Sequence, residues 1–366
     1  MGRSISLNDL QLRAFNVQEP WTRAAAHAHS PEAEAAWWDG NSSPLLDEPP
    51  AIPKGAQLAL GDLIAEIPPE GSIFSFETWG NIGRLADIFI SKTEDVFAAA
   101  HAYTHHWRRH RDPTTLTPQG LKLLDGIAPP ELYDYVYHVA EYGVLPCGDR
   151  PPFRFPQDAY ANIKDNTKAT ADELWGDVIK GRLMMLAIKS EPFAGNLVES
   201  KLTYVLQKDA TNPAAAKVRY ISDPMNEVNE RLDNDRHSQR IIPRHQNVSR
   251  RAHYWKRRYP SIPVLISKRD VKGAFKLIPV GIRGLAYMGC RFSHYIGMYL
   301  ALFFGWRPSP ANWGLISTLL MQYVAAFRPS NDRLGGPESF IAFEYVVDGD
   351  FVEPWRGLRP WQAANL

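Results

Sequence analysis

Two apolar runs in the second half of this chain, PVLISKRD and FIAFEYVVD, each close on an aspartate, Asp270 and Asp348. Short runs rich in Val, Ile and Phe with polar stops read as buried β-strands, here each delivering a carboxylate where it ends. A strand cannot satisfy its own backbone N–H and C=O groups, so it needs partner strands. Candidates lie upstream: RLMMLAI, KLTYVLQKD and AAAKVRYISD follow Gly181, separated by Asn, Pro and Asp. The last two read as a hairpin whose polar link is flanked by Lys208 and Arg219. The second half must therefore build sheet.

The first half reads differently. Residues 1–55 alternate Ala-rich and Pro-rich text without a sustained period, which predicts a mobile leader. From Leu85 to Trp107 the apolar residues Ile88, Phe89, Val96, Phe97, Ala100 and Tyr103 recur near helical spacing, predicting one amphipathic helix. It runs into HHWRRHRDP, where Arg108, Arg109 and Arg111 would repel a divalent cation from His105, His106 and His110. That end reads as a solvated basic helix terminus, not a metal site. Thr170 and Glu173 match a capping box, with Leu174, Trp175, Val178 and Ile179 as the buried face of the helix that follows. The expected fold class is α+β: a leader over 1–55 and a helical region over 56–145 precede a strand-bearing second half, the turn-rich LPCGDRPPFRFP marking the boundary.

Net charge is +1, which excludes a bulk polycation, but the average hides an asymmetry. Residues 201–300 hold 19 basic and 7 acidic residues, so a polyanion is the expected partner of this third. Between Arg236 and Arg258 there are eight Lys or Arg and no acid. Arg250, Arg251, Lys256, Arg257 and Arg258 are candidate phosphate contacts, with Tyr254 and Trp255 available for stacking; the alternative is a solvated helical face. Two cysteines exclude a disulfide framework, and the N-terminus lacks an apolar signal segment. The longest apolar stretch, Tyr295–Trp306, is too short to span a bilayer. The expectation is an intracellular protein, cytoplasmic or nuclear, not secreted and without a membrane partner.

Carboxylates at strand ends suit hard divalent cations, which take oxygen ligands, although Asp after an apolar strand is also common turn chemistry. The surrounding text separates these readings. RDVKGAFKLIP, LFFGWRPSPANW and YVVDGDF occur in that order, and they resemble motifs A, B and C of the palm of retroelement reverse transcriptases, the RNA-directed DNA polymerases. YVLQKD followed by KVRYISDPMNEVN resembles the fingers hairpin of that family, and the resemblance spans roughly residues 170–356.

The resemblance implies a right-hand polymerase architecture. Residues 146–260 would be fingers-like, and 261–366 a palm of antiparallel sheet backed by helices, incomplete at its C-terminus. It implies template-directed DNA synthesis in a retrotransposon polyprotein, in which two Mg2+ (or Mn2+) ions assist attack of a primer 3′-hydroxyl on a deoxynucleotide α-phosphate. The implied partners are an RNA or DNA template-primer, deoxynucleoside triphosphates and the rest of the polyprotein. Asp270 matches the carboxylate that holds both ions, with the Val271 carbonyl as a further ligand. Phe275 matches an aromatic gate against the ribose 2′-hydroxyl, or is a core phenylalanine. Lys208 and Arg219 match triphosphate-binding residues. Phe304 and Gly305 match the motif B turn, with Pro308 and Pro310 stiffening its exit.

Motif C departs from the pattern. Tyr345, Val346, Val347 and Asp348 stand where Tyr, any residue, Asp, Asp is expected, and Val347 has no side-chain oxygen. Asp348 corresponds to the less demanding second aspartate, and Asp350 could substitute only with a shifted hairpin turn. Sixteen residues follow Asp350, where the family continues into a thumb; a truncated piece is expected. The alternative to an active enzyme is a catalytically silent, nucleic-acid-binding remnant of such an element.

Overall fold

The computed structural model describes residues 52–110, 116–127, 130–145, 156, 158–187, 196–207, 217–224, 228–230, 232, 245–326, 340–344 and 348–365. The expected leader, most of the turn-rich boundary, Lys208 and Val347 lie outside the described residues.

Helix α1 (Lys54–Glu66) buries Ala56, Ala59, Leu60, Leu63 and Ile64, positions that return to one face every three to four residues. Helix α2 (Phe76–Thr93) starts at Ser75, whose side-chain oxygen accepts from the Thr78 N–H at 3.4 Å. The single helix expected from Leu85 to Trp107 is two helices. Glu94 adopts φ +60°, and the Asp95 carboxylate accepts from the N–H groups of Phe97 and Ala98 at 2.8 and 3.2 Å, which starts α3 (Val96–His110) afresh. Apolar spacing misses this break because both helices bury their faces in one core. Helix α4 (Pro130–Tyr142) follows.

The Thr170–Glu173 capping box is also corrected. Helix α5 (Thr167–Val178) begins a turn earlier, from Asn166, and the Thr170 N–H already donates to the Asn166 carbonyl at 3.0 Å as an interior helical bond. Leu174, Trp175, Val178 and Ile179 are buried as the spacing predicts.

Strands β1 (Leu183–Ala187), β2 (Glu199–Gln207) and β3 (Lys217–Asp223) come next, with β2 and β3 antiparallel from Lys201 opposite Asp223 to Gln207 opposite Lys217. Then follow α6 (His245–Arg258), β4 (Val264–Asp270), β5 (Gly289–Phe292), β6 (Tyr295–Tyr299), α7 (Ser309–Ala326), β7 (Ala342–Glu344), β8 (Asp348–Pro354) and α8 (Arg359–Asn365). The strands form two sheets. One has the order β1-β6-β5-β2-β3 and includes a short parallel pairing of β2 with β5; it draws strands from both sides of residue 260. The other, β4-β8-β7, is antiparallel throughout.

Helices α2 and α5 share a core with the larger sheet, where Trp79 lies 6.0 Å from both Trp175 and Phe292. The smaller sheet is sandwiched. Trp255 of α6 packs with Phe343 and Val352, whereas Phe351 packs with Val324 of α7 and Ala363 of α8. Among the described residues no helix is long and apolar enough to cross a membrane.

The expectation that two buried strands end in aspartates needs correction. Strand β4 lies at a sheet edge with Leu265 exposed and Ile266 60% exposed, because α6 covers only part of it. Asp348 opens β8 instead of closing the preceding run, since β7 already stops at Glu344.

Candidate nucleic-acid site

Pairing of β4 with β8 sets Asp270 opposite Asp348 and Lys268 opposite Asp350. Directly opposed antiparallel residues have Cβ atoms roughly 4.5–5.5 Å apart, so aspartates 78 positions apart in sequence become neighbours. Asp270 is exposed, where its carboxylate stays hydrated. Past it the chain turns sharply: the Val271 carbonyl accepts from the Ala274 N–H at 3.1 Å, and Gly273 takes φ +68°. A Cβ on Gly273 would lie 3.2 Å from Arg182 Nη1, so glycine serves both the backbone angle and the close approach.

That turn leads Phe275 inward. It is 3% exposed, and its ring centroid is 4.7 Å from that of Phe304, which is 44% exposed. The ring that meets solvent here is thus Phe304, with Phe275 behind it. Gly305 follows at φ +110°, where a Cβ would fall 2.4 Å from the Ser222 carbonyl oxygen and 2.9 Å from Pro224 Cδ. The Asn229 amide brackets this segment, donating to the Gly305 carbonyl at 3.0 Å and accepting from the Arg307 N–H at 2.9 Å. Beyond it the Ser309 hydroxyl donates to the Phe303 carbonyl at 2.9 Å and the Tyr135 hydroxyl donates to Asn312 Oδ1 at 2.7 Å, anchoring the start of α7. Asn229 and Tyr135 were not singled out from sequence. Each is a polar residue whose partner is 76 or more positions away, so no local spacing marks it.

Of the two fingers candidates, Arg219 lies on β3 opposite Val205, and Lys208 is outside the described residues. The structure therefore brings together Asp270, Val271, Phe275, Phe304 and Gly305, and sets the backbones of Asp348 and Asp350 beside the first of these.

Helix α6 carries the basic cluster and divides it. Asn247, Arg251 and Trp255, four residues apart, face the β-sheet and are buried. Arg250, Arg257 and Arg258 are exposed; Lys256 is also exposed, but its ammonium donates to the carbonyls of Pro260 and Ile262 at 3.0 and 3.2 Å. Arg251 is thus a correction: it is 2% exposed, pairs with Glu353 at 3.6 Å and lies over the Trp255 ring at 4.2 Å. Trp255 is corrected with it, since the buried indole donates to the Val352 carbonyl at 2.8 Å and offers no stacking face to a base. Burial lowers the Arg251 guanidinium to about 10, against the pull of Glu353. Burial likewise raises the Glu353 carboxyl, opposed by Arg251 and Arg359.

A pair of hard cations needs several converging oxygens. Among the described residues no three His, Cys, Asp or Glu side chains converge on a cation-sized site, and the valine at 347 brings no oxygen.

No protein-family model matches the sequence, and no curated protein matches it. Among solved structures it is similar to a mutant of the prototype foamy virus protease-reverse transcriptase, at 14% identity and a TM-score of 0.38, over 60% of this chain and 24% of that one. It is also similar to the foamy viral protease-reverse transcriptase in complex with dsDNA (11% identity, TM-score 0.36, 65% of this chain and 45% of that one). A third is the same viral protein in complex with an RNA/DNA hybrid (11%, TM-score 0.34, 64% and 28%). The chain spans about a quarter of the length of the first of these.

Proposed function

We propose that this chain is a reverse-transcriptase-like fingers-and-palm segment from a retroelement polyprotein, which holds nucleic acid but does not complete nucleotidyl transfer. The observation that carries this reading is the meeting of three separate strings. Asp270 of RDVKGAFKLIP lies opposite Asp348 of YVVDGDF, and Phe275 of the first string touches Phe304 of LFFGWRPSPANW. A template-primer would track the exposed cations of α6, Arg250, Arg257 and Arg258, by its phosphates. Phe304 presents an exposed ring on which a base can stack. Lys208 and Arg219 are proposed triphosphate contacts for a deoxynucleotide, whereas the burial of Phe275 behind Phe304 favours its reading as a core phenylalanine over a gate against the sugar. Two-ion chemistry with Mg2+ or Mn2+ belongs to the lineage, and Val347 withholds it from this chain.

Fluorescence anisotropy with labelled single-stranded oligonucleotides tests the reading. Binding should show little sequence preference and fall with salt at a log–log slope of roughly −0.7 per phosphate contacted. Replacing Arg250, Arg257 and Arg258 with Ala should flatten that slope, and an unchanged slope refutes the assignment of α6. Primer extension on a defined RNA template should yield no product. Extension that Asp270→Asn abolishes would show a complete centre, with Asp348 or Asp350 in the position that Val347 leaves without an oxygen.

A further inference from the structure

At the end of the β4–β8 ladder away from Asp270, the last turn of α6 meets the segment that follows β8. The Tyr259 N–H donates to the Trp255 carbonyl at 2.8 Å and the Ile262 N–H to the Tyr259 carbonyl at 3.1 Å, which closes the turn between α6 and β4. One step past the last pair of the ladder, Val264 opposite Pro354, the Trp355 N–H donates to the Pro263 carbonyl at 2.8 Å. The Arg356 N–H donates to the Pro354 carbonyl at 2.7 Å, so the backbone of Trp355 and Arg356 is fixed against that turn. The 7 residues of β4, at about 3.3 Å each, put this junction roughly 20 Å from Asp270. It is a different place from the one where Asp270 and Phe304 lie.

Two arginines converge on Tyr259. Arg258 Nε donates to its hydroxyl at 3.3 Å and Arg356 Nη1 at 2.5 Å, with the Arg356 guanidinium carbon 4.9 Å from the ring centroid. A phenolic oxygen that accepts twice keeps its own proton to donate. Arg356 is half-buried and commits one N–H to Tyr259, which leaves donors on its planar fork for an anion. The adjoining Trp355 is 58% exposed although its backbone is held, and an indole fixed in water is a preorganised surface for a base. We infer that Tyr259, Trp355 and Arg356 form a nucleotide subsite for single-stranded nucleic acid: a phosphate takes donors from Arg356 and the Tyr259 hydroxyl, and a neighbouring base stacks on Trp355. A duplex buries its base faces and cannot use the indole. The inference rests on the reading that α6 meets nucleic acid, and it carries the strand past the last cations of that helix.

The probes are a labelled oligothymidylate and an abasic strand of the same length and charge, each titrated into the full chain by fluorescence anisotropy. Trp355→Ala should weaken the oligothymidylate about fivefold or more, the scale of one stacked base, while the abasic strand changes by less than about twofold. Trp355→Phe should restore most of the loss. Because Trp355 is exposed, its replacement leaves the core intact. Arg356→Gln should weaken both strands alike and lower the log–log salt slope by about 0.7, the share of one phosphate on a single strand. Tyr259→Phe should weaken both strands without changing that slope. Equal losses for the two strands in Trp355→Ala, or no loss, overturn the stacking surface, and an unchanged slope in Arg356→Gln overturns the phosphate contact. Polyglutamate binding that Trp355→Ala weakens, with oligothymidylate binding unaltered, would give the surface to an acidic protein and overturn the inference. The reading of α6 fails on a different result, an unchanged slope after replacement of Arg250, Arg257 and Arg258, so the two failures are told apart.

Discussion

Removing the carboxylate of Glu353 should destabilise the smaller sheet more than any surface charge change, because it joins α6, β8 and α8 through two buried cations. Arg251, Glu353 and Arg359 are 2%, 2% and 0% exposed, with Glu353 3.6 Å from Arg251 and hydrogen-bonded to Arg359. At 3.6 Å and an effective dielectric near 20, one such attraction is worth about 4–5 kcal/mol before desolvation. Glu353→Ala removes that attraction and leaves two like charges buried together. The Trp255 ring, 4.2 Å from the Arg251 guanidinium and 4.9 Å from that of Arg359, offsets part of this, at about 1–2 kcal/mol. The expected net loss is about 3–5 kcal/mol, the usual range for breaking a buried pair from one side. Urea unfolding followed by far-ultraviolet circular dichroism measures it as a lower midpoint at constant slope. Replacing the whole triad, Arg251→Met, Glu353→Leu and Arg359→Met, should recover most of the loss, since no uncompensated charge remains. A Glu353→Ala loss below about 1 kcal/mol, the scale of an exposed pair, would refute the reasoning.

Gly305→Ala should cost about 3 kcal/mol, from a left-handed backbone angle and a Cβ driven against the Ser222 carbonyl, and it should lower oligonucleotide affinity by displacing Phe304; a melt within 1 °C of the parent would contradict this. His101 should make the fold acid-sensitive: burial, then His105 and Arg108, lower its folded pKa from 6.5 to about 4. Below pH 6.5 the unfolded chain takes up a proton that the folded chain refuses, so stability is full above that pH and falls toward pH 4, by about 3 kcal/mol from this group. His101→Leu should lose less stability than the parent between pH 7 and 4.5 in urea titrations, and an equal loss would place the effect elsewhere.

Short-range signals carried much of the architecture. Val264–Asp270 forms a strand because its β-branched residues and polar ends act locally, and the β2–β3 hairpin follows from two such runs around a polar link. The ordered strings around Asp270 and Gly305 were legible for the same reason, since each motif lies within a dozen residues. Boundaries were less legible: at Asp95 a side-chain cap outweighed a continuous apolar period, and at Asn166 the helix began before the residues that look like its start.

Composition marked Arg250, Arg251, Arg257 and Arg258 as equivalent cations. Only tertiary structure separated them, because a helix presents residues four apart to the same side and β8 placed Glu353 beneath Arg251 alone. The sequence by itself determined which segments could become strands and helices and where cationic charge accumulates, through interactions between near neighbours. Which strand edge stays open, which aspartates stand opposite one another and which arginine is buried depend on contacts between residues roughly a hundred positions apart. Those were decided only when the sheets paired and the helices packed upon them.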